Sequence, residues 1–231
     1  MITVPVRQIT RATPRTRLLN LDLRAVEFRF AAGQAVMLGL SGSPLRKPYS
    51  IASAPWEVNK SGIMQVLCQV EDSGGLDPHL ELASPGTMVD LDGPFGSFGL
   101  PNQIDGPLLF IAGGTGIAPL RSMLIEHLSR PTQLPVALIY SVRSVDELAF
   151  RAELGALEIA RRITTYFTVT RDEKTEWLGR RGRVSEVLLT EALPSSGSTC
   201  FICGPPELVT DASQLLMKLG VSADRILTEK Y

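Results

Sequence analysis

The stretch Leu108-Leu-Phe-Ile-Ala-Gly-Gly-Thr-Gly-Ile-Ala-Pro-Leu120 decides how this chain reads. Five apolar residues run into Gly113, Gly114, Thr115 and Gly116, and a helix opens around Pro119. A short continuous apolar run is the mark of a strand buried on both faces. The glycines remove the Cβ atoms that would hold a ligand off the backbone. Pro119 suits a first helical turn, where its missing N–H costs nothing. The expected product is a helix N-terminus with bare amides, suited to a pyrophosphate. An ordinary tight turn has the same pattern, so the rest of the chain must choose.

The 231 residues are enough for one large domain or two of roughly 100–130 residues each. Charge is nearly balanced, 23 basic against 24 acidic side chains, which suggests neither a nucleic-acid partner nor an anionic membrane surface. Residues 1–7 alternate like a strand and lack an apolar signal core. No apolar run approaches the ~18 residues of a membrane span. A cytoplasmic protein without a membrane partner is expected. The cysteines are Cys68, Cys200 and Cys203, an odd number that argues against a disulfide framework. Cys200 and Cys203 lie in a strand-like segment, where a separation of three puts them on opposite faces, so no shared metal or redox pair is expected. Four thiolates for an iron–sulfur cluster are not present, and His79 and His127 lack supporting ligands.

Working outward, segments 2–9, 16–22, 25–30, 35–40, 47–53, 63–70 and 87–92 read as short strands separated by turn residues such as Gly33 and Ser73-Gly-Gly75. That spacing predicts an antiparallel barrel or sandwich. One helix is expected over 77–83, with Asp77 as cap and Pro78 in the first turn. After Pro101, strands at 107–112, 135–140, 164–169 and 199–203 alternate with helices at 118–129, 146–158, 184–191 and 206–218. This alternation predicts a parallel sheet covered on both faces, with its ligand at the carboxyl ends of the strands. The fold class is therefore a two-domain chain, an antiparallel barrel over 1–101 and an α/β parallel-sheet domain over 102–231.

Arg46-Lys-Pro-Tyr-Ser-Ile-Ala-Ser53 carries the side-chain types a flavin needs, a cation for phosphate and an apolar aromatic face for the ring. On a strand Lys47 and Tyr49 share one side and Ser50 points the other way. A core strand with a solvated basic end would read the same.

With this segment the chain resembles the ferredoxin–NADP reductase family over nearly its whole length. Gly33-Gln34 resembles the family's barrel turn, Lys47-Pro48-Tyr49-Ser50 its Arg-x-Tyr-Ser flavin strand, and Gly93-Pro-Phe-Gly96 its barrel exit. Gly113-Gly-Thr-Gly-Ile-Ala-Pro119 resembles the pyridine-nucleotide turn, Cys203-Gly-Pro-Pro206 the nicotinamide end, and Glu229-Lys-Tyr231 the Glu-x-Tyr terminus of plant-type members. The motifs come in the family's order.

Two positions depart from it. The family arginine falls on Lys47, with Arg46 one residue early; lysine keeps the charge but loses the bidentate fork, and a bulge could bring Arg46 inward, so both are candidates for the flavin phosphate. In the second flavin motif, Gly-x-x-Ser-x-x-Leu, this chain has Gly74, Asp77 and Leu80. A carboxylate there would repel a pyrophosphate, so Asp77 is expected to cap its own helix and leave the backbone of Gly75, Leu76 and Asp77 for the phosphate. FAD is expected, with FMN the weaker option. Leu67, Gln69 and Val70 align with the strand that meets the flavin through its backbone, with Cys68 as core.

The resemblance also implies roles on the nucleotide side. Gly114, Thr115 and Gly116 would hold the pyrophosphate, and Gly204 and Pro205 the nicotinamide end. Arg143, Thr170-Arg171 and Arg183 match the arrangement of relatives that use NADPH. A 2′-phosphate needs cationic donors, whereas the ribose of NADH prefers an acidic acceptor. A solvated basic surface is the plainer reading of Arg143, Arg171 and the Arg180, Arg181, Arg183 cluster. NADPH is favoured over NADH. In the implied hydride relay Ser50 bonds the flavin nitrogen, Cys203 packs against the nicotinamide without acting as a nucleophile, Glu229 relays a proton, and Tyr231 stacks on the flavin as a removable cover. The expected activity is that of an NADPH-dependent flavoenzyme passing electrons to ferredoxin or flavodoxin. The alternatives are the NADH-dependent reductase component of an oxygenase, a free-flavin reductase, or a non-catalytic flavin-binding subunit.

Overall fold

The computed structural model describes residues 1–70, 80, 82–131, 133–171 and 177–230. They divide into two units, Met1–Leu100 with Arg121–Arg130, and Pro101–Leu120 with Pro131–Tyr231.

The first unit contains β1 (Ile2–Thr13), β2 (Thr16–Asp22), β3 (Ala35–Leu40), β4 (Lys47–Ser50), helix α1 (Pro55–Ser61), β5 (Ile63–Gln69) and β6 (Met88–Phe95). The strands pair in the order β4-β3-β6-β1-β2-β5, each pair antiparallel. A bridge from Ile51, just past β4, to Val66 of β5 joins the two edge strands at one point. Alternation does the rest: Val4, Leu19, Leu21, Val36, Leu38, Met64, Val66 and Leu91 point inward and form one core.

Two expectations fail here. No strand forms over 25–30. The Val26 amide instead closes a turn on the Leu23 carbonyl at 3.0 Å, and the tilted rings of Phe28 and Phe30 pack against the core. Conversely, α1 was not anticipated. Pro55 opens it, the Glu57 carboxylate accepts the Ala54 N–H at 2.8 Å, and Gly62 ends it with φ 68°. Glu57 also receives the Arg121 guanidinium at 2.9 and 3.0 Å, and Arg121 donates to the Ala52 carbonyl at 2.7 Å. Most of the helix read over 77–83 lies outside the described residues.

The second unit contains β7 (Leu108–Gly113), α2 (starting at Ile117, Ile117–Leu128), β8 (Val136–Val142), α3 (Arg151–Ile159), β9 (Thr164–Val169), β10 (Arg180–Arg181), α4 (Glu186–Ala192), β11 (Thr199–Gly204), α5 (Pro206–Lys218) and β12 (Ile226–Lys230). Its strands run β10-β9-β8-β7-β11-β12, all parallel. β7 and β11 are buried at every position, as the apolar runs predicted. The helix read over 146–158 starts later. Residues 145–147 make a single 3₁₀ turn, and Phe150 at φ 59° breaks the path before α3 begins. β10 and β12 are additions. Both are short or half-exposed edge strands without the apolar run that marks a central one. No helix among the described residues is long and apolar enough to cross a membrane.

Candidate functional site

In the second unit the chain leaves β7 toward β8, β9 and β10 on one side and later adds β11 and β12 on the other. The carboxyl end of β7 is therefore the switch point of the sheet, where ligands of such folds bind. The glycine turn stands there, and space dictates its composition. A Cβ on Gly116 would lie 2.2 Å from the Cys203 carbonyl oxygen, and one on Gly113 2.5 Å from the Leu208 side chain. Gly114 takes φ 53°. Gly114 and Thr115 stay half-exposed beside Gly204 and the exposed Pro205 at the end of β11.

The scattered arginines of the sequence come to neighbouring strand ends. Arg143 follows β8, Thr170 and Arg171 follow β9, and Arg183 follows β10. Backbone bonds zip these ends together: the Thr170 amide donates to Val142 and the Arg171 amide to Arg143, both at 2.9 Å. β9 also grips Gly182 twice. Its amide donates to Val169 at 2.8 Å, and its carbonyl accepts the buried Thr168 hydroxyl at 2.7 Å. Arg143 and Arg171 are exposed and have no ion-pair partner among the described residues. Arg183 pairs with Glu207 at 2.8 Å, where both side chains are largely in solvent. Arg180 is committed elsewhere, to Glu191 and to the face of Tyr166. The Thr170 hydroxyl donates to the Val142 carbonyl at 3.2 Å.

Cys203 and Glu229 face each other across β11 and β12, with the sulfur 3.8 Å from a carboxylate oxygen. Burial, then the neighbouring Glu229 charge, push the Cys203 thiol far above its usual range. Burial likewise raises Glu229 above the usual carboxylate value. The pair is thus a neutral thiol against a carboxyl that holds its proton longer than usual, and Cys203 is no thiolate nucleophile. Cys200 is also buried, its thiol pushed up to about 12.

In the first unit, Lys47, Tyr49 and Ser50 lie half-buried on edge strand β4 with Pro48 exposed. Arg46, one residue before, turns to the buried Asp90, which accepts its guanidinium at 3.1 Å, the Thr3 hydroxyl at 2.8 Å and the Gly42 amide at 3.2 Å. These donors, Thr3 foremost, hold the Asp90 carboxyl below its usual range. β5 pairs with β2 as far as Gln69, but on its other edge the bridge ends at Val66. The backbone of Leu67–Gln69 therefore has no strand on that edge among the described residues. Gly74, Gly75, Leu76, Asp77 and Tyr231 lie outside the described residues.

Residues 3–99 match the family model of an oxidoreductase FAD-binding domain, and residues 110–214 that of an oxidoreductase NAD-binding domain. The chain is 33% identical over 214 residues to ferredoxin–NADP reductase B of Sorangium cellulosum, covering 88% of this chain and 86% of that protein. The chain belongs to the ferredoxin–NADP reductase family. Within the family it is also 29% identical over 228 residues to the toluate 1,2-dioxygenase electron transfer component of Pseudomonas putida, 98% of this chain and 65% of that one. The chain spans somewhat less than two thirds of the length of that relative and of the anthranilate 1,2-dioxygenase component of Acinetobacter baylyi, where it covers 63%. The Amycolatopsis cytochrome P450 reductase superposes with a TM-score of 0.86 at 26% identity, over 99% of this chain and 68% of that one.

The residues present suit the groups for which a ferredoxin–NADP reductase is built. A turn that admits no Cβ, with a row of arginines beside it, fits a phosphorylated dinucleotide. The half-buried lysine and hydroxyl of β4, Lys47 and Ser50, next to the aromatic Tyr49, fit a flavin. Sequence reasoning missed Thr168 and Asp90. The signal for Thr168 was a threonine among the core-facing residues of β9; for Asp90, an acid set between the two core residues Val89 and Leu91 of β6 and buried all the same.

Proposed function

We propose that this ferredoxin–NADP reductase family member is an FAD-dependent oxidoreductase that takes reducing equivalents from NADPH and passes them to a protein carrier, ferredoxin or flavodoxin. Residues 1–101 would carry the flavin and 102–231 the nucleotide, in the cytoplasm. The observation that carries the choice of NADPH is the row of Arg143, Arg171 and Arg183 at adjacent strand ends, cations where a 2′-phosphate needs donors.

A bound flavin supplies the chemistry no side chain has, accepting hydride from a reduced nicotinamide and releasing electrons singly. The chain's own residues bind and orient. Lys47 sets a positive charge at the start of β4, and the backbone of Leu67, Gln69 and Val70 borders the rest of the flavin site. Ser50 offers a hydroxyl to the ring. The amides of Gly114, Thr115 and Gly116 hold the pyrophosphate, Thr170 flanks the arginines, and Gly204 and Pro205 border the nicotinamide. Cys203, kept as a thiol, gives the nicotinamide a small uncharged surface. Glu229 holds the proton at its carboxyl. Tyr231 is assigned the flavin's removable cover.

Stopped-flow bleaching of the flavin by NADPH and NADH side by side tests this, followed by re-oxidation with ferredoxin and with flavodoxin. Faster bleaching by NADPH and re-oxidation by a carrier support the proposal; a clear preference for NADH overturns the nucleotide assignment. A second reading, the reductase component of an oxygenase, is favoured by the two dioxygenase electron transfer components among the relatives. Re-oxidation by an oxygenase partner and by neither carrier selects it. Loss of the yellow colour on gel filtration would instead indicate a free-flavin reductase, and an inert yellow protein a non-catalytic subunit.

A further inference from the structure

We propose that Tyr140 is a positioning residue for dinucleotide binding, its hydroxyl fixing the peptide between Gly114 and Thr115 with the amide turned away from the sheet. The inference rests on reading the Gly113–Gly116 turn as the pyrophosphate seat. Tyr140 lies near the end of β8, beside Ala112 of β7 and Phe167 of β9, and is 1% exposed. A phenol at that depth needs a partner for its hydroxyl. It donates to the Gly114 carbonyl at 3.1 Å. The Phe167 ring meets the phenol edge-on, centroids 6.5 Å apart, and limits its swing. The same Gly114 carbonyl accepts the Ile117 N–H at the start of α2.

The consequence follows from the peptide itself. A trans peptide is planar, so the Gly114 carbonyl and the Thr115 N–H point in opposite directions. Tying the carbonyl to Tyr140 turns the Thr115 N–H away from it. An amide draws an anion and a carbonyl repels it, so the sense of this one peptide changes the turn from attractive to repulsive. Gly114, at φ 53° and without a Cβ, is the residue least able to choose between the two senses by itself. The tyrosine makes the choice for it. It touches neither reacting group and acts only through the turn.

Tyr140→Phe keeps the ring and its packing and removes the hydroxyl alone. Calorimetric titration of the FAD-containing protein with NADP+, NAD+ and 2′-AMP is the test, together with steady-state kinetics. The Kd and KM for the preferred dinucleotide should rise about tenfold, the scale of one ordinary hydrogen bond, with kcat at saturation and FAD content held. Binding of 2′-AMP, which lacks the pyrophosphate, should not change. Unaltered dinucleotide binding overturns the proposal, and so does an equal loss for 2′-AMP, which would mean a general loosening of the unit. A wild-type protein that binds neither dinucleotide overturns the parent reading and this one with it. Wild-type binding matched by the variant overturns this one alone.

Discussion

The barrel and the parallel sheet present their chemistry in opposite ways. In the parallel sheet every strand runs in one direction, so whatever follows a strand falls on the same edge: the glycine turn, Arg143, Arg171, Arg183 and Gly204. Local pattern is enough to find such residues, because the fold gathers them automatically. In the barrel neighbouring strands alternate in direction, and partners come from distant parts of the chain. Arg46 meets Asp90, and Gln34 reaches the Gly96 carbonyl at 3.0 Å. Parallel topology makes a site legible; antiparallel topology hides it.

The sharpest way to break this contrast is a pair of glycines. Gly116→Ala drives a Cβ to 2.2 Å from a backbone carbonyl, whereas Gly96 sits at φ 94° with open space around it. Gly116→Ala should cost about 3 kcal/mol through overpacking and abolish dinucleotide binding; Gly96→Ala should cost about 1 kcal/mol of backbone strain. Equal melting temperatures for the two variants would refute the assignment of a tight switch point. Next in size is the hidden barrel acid. Asp90→Ala strands the Thr3 hydroxyl, the Gly42 amide and Arg46, and should lower the unfolding midpoint by about 5–10 °C. Dinucleotide affinity should stay as it is.

The two regions should also differ in the sign of their pH response. Asp90 is held below its ordinary 3.8, so its contribution to stability is present above that value and disappears as pH falls through the lowered one. Glu229 is raised above 4.5 by burial, so its contribution is full below 4.5 and is lost as pH climbs through the raised value. Melting curves recorded from pH 3 to 7 on Asp90→Asn and Glu229→Gln would each flatten one limb only, the acidic and the upper one respectively; loss of the same limb in both would contradict these signs. The smallest expected effect concerns Glu207, which both neutralises Arg183 and sets a carboxylate near where a 2′-phosphate would bind. Glu207→Gln should raise kcat/KM for NADPH about threefold over that for NADH, the scale of an exposed ion pair. An unchanged ratio would remove Arg183 from the nucleotide assignment.

Element by element, legibility followed the same divide. β7, β8 and β11 were readable because burial on both faces enforces long apolar runs, whereas β9, half-exposed over most of its length, was marked by its β-branched and aromatic residues. β12 was not, since an edge strand with alternating exposure carries no such run, although Glu229 within it stood out through family resemblance. The break before α3 escaped because nothing local predicts a phenylalanine at positive φ. In the barrel, Phe28 and Phe30 look like strand residues but lie half-buried against the core in a segment without strand pairing. Asp90 could be seen as an acid in a strand, but its three donors come from three separate turns and strands.

The three sulfurs add a last consequence. Peroxide and alkylating reagents attack thiolates, not thiols. Cys68, Cys200 and Cys203 are all shut away from water, and the latter two are held firmly protonated. Alkylating reagents and peroxide alike should therefore leave these cysteines untouched in the folded molecule.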